Sequence, residues 1–146
     1  MTAVLLANAA ATLYMVGLTW FVQVAHYPLF SYVGKPEFAE YHRGHSNRTT
    51  TVVLPPMLVE LITSFLLLFD PPVGERGLVI AGAALAVGTW LLTAAAAAIH
   101  GQIGEAGLLR SLDRRLARVS WVRTVVWTAH GIVVVTLLGA AIDGGV

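Results

Sequence analysis

The chain is expected to fold as an all-α integral membrane protein, a single four-helix bundle, and three observations point there. It is 57% hydrophobic and only 12% charged, about half the roughly 25% charged fraction of a soluble domain. Four apolar stretches are each long enough to cross a hydrocarbon core about 30 Å thick, which takes ~20 helical residues. The connecting segments use up nearly all the rest of the 146 residues, so one domain is expected and no separate soluble domain fits.

The spans are read in order as about 3–29, 49–69, 78–100 and 121–142. The first lacks a basic leader and a cleavage site followed by a soluble body, so it reads as a span and not a signal peptide. The second stops at Asp70, Pro71 and Pro72, because proline cannot continue a helix. The fourth is followed by Asp143, Gly144 and Gly145. Pro55 and Pro56 sit inside the second span and are expected to bend it, freeing backbone carbonyls near Glu60.

Lys35, Arg43 and Arg48 lie between spans one and two, and Arg110, Arg114, Arg115, Arg118 and Arg123 between or just inside spans three and four; only Arg76 lies on the other side. The positive-inside rule then places both long loops in the cytoplasm and both termini outside, in the plasma (inner) membrane. Net charge is +1, and its confinement to loops beside apolar segments leaves no nucleic-acid footprint. There is no cysteine, which excludes disulfides, thiolate ligation and thiol redox chemistry.

Both long loops carry helical patterns. Pro36 and Glu37 open a run through His42 with proline and acid in the first turn. Leu108, Leu109, Leu112, Leu116 and Val119 alternate with arginines as in an amphipathic helix lying at the membrane surface, an interface anchor or else a lid or partner-binding element. A faint repeat is present, since a histidine ends each odd span and an arginine opens the next (His26 and Arg48, His100 and Arg123). The run Ala94 to Ala98 suits close helix packing. Tyr14, Trp20, Tyr27, Tyr41, Trp90 and Trp121 read as interfacial aromatics, whereas Trp127 fills the core or walls a pocket for a flat aromatic substrate.

Each span has one polar stripe: Thr19, Gln23 and His26; Thr49, Glu60 and Thr63; Thr89, Thr93 and His100; Arg123, Trp127 and His130. Polar groups are costly in lipid, so these stripes are expected to turn inward. His26, His42, His45 and His100 then crowd the cytoplasmic face, while Glu60 and His130 reach roughly 14 to 16 Å deep at ~1.5 Å per residue. Imidazole suits zinc, copper, iron or nickel, and imidazole mixed with carboxylate and open positions suits oxygen chemistry at copper or iron. The expected metal ligands are His26, His42, His45, Glu60 and His100. Glu60, His130 and Arg123 are the expected acid–base and substrate-orienting groups. Each has a structural alternative: His42 and His45 as interfacial residues, His26 and His100 as helix-end partners, and Glu60 with His130 as a buried pair.

The run Gly17, Trp20, Gln23, Val24, Tyr27, Pro28, Leu29 and Phe30, with Phe38, Tyr41, His42, His45, Val53, Pro56, Met57, Glu60 and Leu61, resembles a family of small four-span membrane proteins, long of unknown function, that includes anthrone oxygenases. Trp121, Val122, Arg123, Thr124 and Trp127 resemble the same family's fourth span, so most of the chain is covered. The resemblance implies a membrane oxidoreductase, of monooxygenase type, that inserts oxygen into a hydrophobic, often aromatic, small molecule. Two other classes stay open. One is a b-type haem protein with His26 and His100 as axial ligands. The other is a non-enzymatic ion or metal carrier or assembly factor, working as a homo-oligomer.

Overall fold

Polar side chains share the interior of this chain with apolar ones, and large apolar side chains cover much of its outside. In the computed structural model, which describes residues 2–107 and 110–143, Asn8, Thr12, Thr19, Glu60, Thr89, Thr124 and His130 are buried, whereas Phe21, Val24, Ile62, Leu91 and Ile132 are exposed. This reverses the pattern of a soluble bundle, and four helices are long and apolar enough to cross a membrane.

The helices are α1 (Thr2–Phe21), α2 (Lys35–Phe69), α3 (Arg76–Ala106) and α4 (Arg110–Asp143). α1 packs against α2 and α4, and α3 against the same two, so the four close into a ring in chain order. Short connections make neighbours antiparallel. Gly74, at φ 82°, turns the chain between α2 and α3. Gly107, at φ 76°, ends α3, its N–H donating to the Ile103 carbonyl at 2.9 Å, a left-handed cap that suits glycine.

α1 does not continue regularly to its end. Val22–His26 widen into a π-helical turn and Tyr27–Tyr32 tighten into a 3-10 segment. Pro28 falls in the first turn of that segment, where its missing N–H leaves no bond unmade. The irregular stretch sets Tyr27 and Phe30 into the core and leaves His26 half-buried.

Two expectations are corrected. The patterned loop before the second span is not a separate piece, because Lys35–Phe69 forms one helix that passes through Pro55 and Pro56. The amphipathic segment expected at the membrane surface is the first part of α4, continuous with the fourth span. Its Leu112 and Leu116 are buried with Phe30, Phe38, Ile99 and Ile103, so they hold the bundle together and do not face lipid headgroups; Leu108 and Leu109 lie outside the described residues. The physical reason is length: α2, with 35 residues, spans about 52 Å at ~1.5 Å per residue. The bundle therefore extends well past its apolar part at the end that carries the arginines, and apolar residues there still have neighbours to pack on.

Three apolar layers result: Leu5, Leu67, Val79 and Leu137 at one end, Met15, Met57 and Trp127 in the middle, and the Phe30 layer at the other. Leu116→Ala in the last layer is expected to lower stability by about 2–5 kcal/mol through the cavity it leaves. Leu91→Ala on the exposed face should change little, and thermal unfolding of the two variants in the same detergent is the check.

Candidate functional site

The polar interior separates into two clusters at different heights. At the arginine-rich end, His26 from the π turn, His42 and His45 from α2, and His100 from α3 come together. His42 and His45 share a face because they are three residues apart on a helix. His45 is the hub: its ring centroid lies 4.7 Å from that of His26, 5.4 Å from His100 and 6.3 Å from His42.

The rings pair through their nitrogens. His26 Nε2 and His45 Nδ1 are 2.8 Å apart, and His42 Nε2 and His100 Nδ1 3.1 Å. In each contact one ring's N–H donates to the lone pair of the other. The Tyr27 hydroxyl meets His100 Nε2 at 3.1 Å and the Thr49 hydroxyl meets His45 Nδ1 at 3.2 Å. Tyr27, His100 and His42 thus form one hydrogen-bonded chain. Phe30 lies against all four imidazoles, with centroid separations of 5.4, 6.2, 5.0 and 6.4 Å to His26, His42, His45 and His100. Among the described residues no three His, Asp or Glu side chains stand as a ready metal-ligand set, because the imidazoles bond to one another.

Two cavities reach this cluster. One, of about 700 Å³, lies between the end of α1 and α2 and is lined by His26, His45, Glu37, Glu40 and Arg48. The other, of about 630 Å³, is lined by His42, His45, His100 and Arg123 with Met15, Met57 and Trp90. His45 borders both, so the cluster is a partition between them.

The second cluster is Glu60, Trp127 and His130, all 0% exposed. The carboxylate pairs with His130 Nδ1 at 2.7 Å and accepts from the Trp127 indole N–H at 2.9 and 3.1 Å. Nearby, the Asn8 amide of α1 donates to the Glu60 carbonyl at 3.1 Å and to the hydroxyls of Thr63 and Ser64 at 2.8 and 2.9 Å. His130 Nε2 has no hydrogen-bond partner and faces Gly82 of α3, where an added Cβ would stand 3.5 Å away.

Glu60 therefore does not join the histidine set it was expected to complete. The interval from His45 to Glu60 along α2 is about 22 Å at ~1.5 Å per residue, far beyond one coordination sphere. His130 is likewise committed to Glu60 and borders neither cavity described above, whereas Arg123 lines the second. Trp127 is core and not a pocket wall, packed with Met15 and Met57. Its face carries Arg123, whose guanidinium carbon is 5.9 Å from the ring centroid, a cation–π distance.

Tyr27 was read from the sequence as an interfacial aromatic, and Phe30 and Asn8 carried no site assignment. Asn8 had a usable signal, being a lone amide in an apolar run, a residue type that bonds across helices in membranes. Tyr27 and Phe30 had none, since the π turn that aims them cannot be read from periodicity.

Searches against protein-family models, curated proteins and solved structures find no match to the chain. The residues themselves carry whatever is said of its function.

Removing either partner of a buried pair strands the other. Glu60→Ala and His130→Ala are each expected to destabilise the bundle by about 3–5 kcal/mol, and Glu60→Ala with His130→Ala together by clearly less than the sum. Denaturant unfolding of the two single variants and the double variant measures the difference; strict additivity would show that the pair is not coupled.

Proposed function

We propose that the protein is a membrane-embedded oxidoreductase of oxygenase type, with its working centre at the histidine cluster and copper or iron held by His26, His42, His45 and His100. The observation that carries this reading is the meeting of four imidazoles from three separate segments around His45, with nitrogens 2.8 and 3.1 Å apart. Imidazole nitrogens this close are within reach of a shared ion, whose bonds to nitrogen are about 2.1 Å long. His26, His42, His45 and His100 would hold a metal in place of the shared protons, the rings turning to admit it, and neutral imidazole is the form that ligates.

When bound, such a metal supplies oxygen activation and electron transfer. The chain's own residues do the rest. The Tyr27 hydroxyl fixes the ring orientation of His100 from its Nε2, as partners behind ligating histidines do. Tyr27 holds a proton against His100 Nε2, the ring nitrogen turned away from His42. Phe30 keeps water from the inner side of the cluster. The apolar cavity of about 630 Å³ admits a hydrophobic small molecule beside the rings, a size within the about 300–1,000 Å³ of small-ligand sites. Glu60 and His130 support the fold and are not ligands in this reading. The resemblance to the family that includes anthrone oxygenases agrees with oxygen chemistry on such a substrate.

In this reading the protein lies in the plasma membrane, and the distribution of arginines supports an orientation with the histidine end in the cytoplasm and both termini outside. The chain has no cysteine, so single cysteines report cleanly. Val73→Cys is expected to react with an impermeant maleimide in intact cells, and Ser111→Cys only after permeabilisation.

The central test is metal content, by mass spectrometry, and the visible spectrum of one sample purified in detergent without a histidine tag. Copper or iron near stoichiometry, lost in His45→Ala and kept in Glu60→Gln, is the expected result. An intense Soret band would replace the reading with a haem protein, and a protein free of both metal and haem would overturn it.

A further inference from the structure

The cavity between α2 and α3 is positively biased in a place where charge is costly. No aspartate or glutamate lines it, yet two arginines do. Arg43 is exposed and lies at its margin, but Arg123 is partly buried and has no carboxylate within ion-pair distance among the described residues. Its Nε is buried without a hydrogen-bond partner. The hydroxyls of Thr93 and Ser46 are in the same state, and both line the same cavity. Three residues that each carry an unmet polar atom, one of them a cation, therefore line one cavity. A partly buried cation without a counter-charge is costly, so the Arg123 guanidinium marks a place where an anion belongs.

Apart from Thr19, Asn47, Thr49 and Thr50, much of the remaining wall is apolar. Met15, Met57 and Trp90 border the space together with Ala96 and Ala97, the Trp90 N–H being already committed to the Met57 carbonyl at 3.3 Å. The alanine run expected to bring helices close instead leaves room: of Ala94 to Ala98 only Ala96 is buried. The histidine cluster closes one side through His42, His45 and His100.

Resting on the reading of that cluster as the working centre, we propose that the cavity binds a hydrophobic monoanion, an amphiphile whose carboxylate, phenolate or phosphate oxygen is held by Arg123 and Thr93. Its apolar body lies along Met15, Met57 and Trp90, and its length brings one part beside the histidines. Trp127, under the guanidinium, fixes where the charge sits. Arg123 is thus the specificity-determining residue, selecting the anion over a neutral molecule of the same shape.

The test uses the full chain in nanodiscs of phosphatidylcholine. Dibrominated stearic acid, above the pKa of its carboxyl, and its methyl ester are titrated while tryptophan fluorescence is read; bromine quenches at contact and Trp90 borders the cavity. The acid is expected to quench saturably at about tenfold lower concentration than the ester, the ratio a charge-assisted hydrogen bond supplies. Arg123→Gln should bring the two curves together and Arg123→Lys should keep part of the preference, while Trp90→Phe removes the saturable component. Equal quenching by acid and ester in the unaltered protein would overturn the proposal, whether or not the variants fold. Adding phosphatidylglycerol separates the sources of the anion: displacement of the acid identifies a phospholipid, and no displacement a free amphiphilic acid. Metal content is read on the same samples. Acid preference without metal overturns the metal-centre reading and leaves the anion site standing; metal without acid preference overturns the anion site alone.

Discussion

The Glu60 carboxylate holds the middle of this bundle. It reaches from α2 across the interior to His130 and Trp127 of α4, two helices that are not neighbours in the ring. Asn8 of α1 bonds the Glu60 backbone and the two hydroxyls that follow it, and Gly82 of α3 makes room for the far edge of His130. One buried pair therefore touches all four helices. A carboxylate at 0% exposure has no water to turn to, so its three hydrogen bonds must be made within the protein. Satisfying them fixes the heights of α2 and α4 against each other.

With that register set, everything toward the arginine-rich end follows from length. α2 and α4 run on past the Glu60 level, and α1 changes to a π turn and then to 3-10 geometry. Such wide turns occur often at functional sites, where they re-aim side chains. Here the turn delivers His26 against His45 and lets Tyr27 reach His100. The two polar clusters have different characters in consequence. The Glu60 cluster is closed, packed on all sides and away from the two cavities, as suits an element of the fold. The histidine cluster stands between two cavities, its rings bonded to each other.

Arg123 is the link between them. It sits on the face of Trp127, whose indole N–H is bound to Glu60, and it borders the cavity that His42, His45 and His100 also line. A guanidinium stacked on a ring is held in place without being neutralised. The buried pair below therefore positions a positive charge that has no carboxylate partner among the described residues.

Much of this was legible in the chain alone. Composition and the lengths of four apolar runs determined an all-helical architecture of membrane-spanning dimensions, because each run had to be helical to satisfy its own backbone. Helical periodicity determined which face of each span is polar, so the inward placement of Thr19, Glu60, Thr89 and His130 followed. Counting residues along the axis put Glu60 and His130 at one depth and four histidines at one end. Tertiary structure decided the rest. Equal depth says nothing of partners, so only packing showed that Glu60 spends its carboxylate on His130 and Trp127 and lies about 22 Å from His45 along the helix. Period alone marked the Leu112 and Leu116 stripe as amphipathic. Whether its apolar side met lipid or protein depended on the extended ends of α2 and α3 standing beside it. The π turn at Val22–His26 breaks the very periodicity that sequence reasoning relies on, and for that reason the contacts of Tyr27 and Phe30 appeared only in three dimensions.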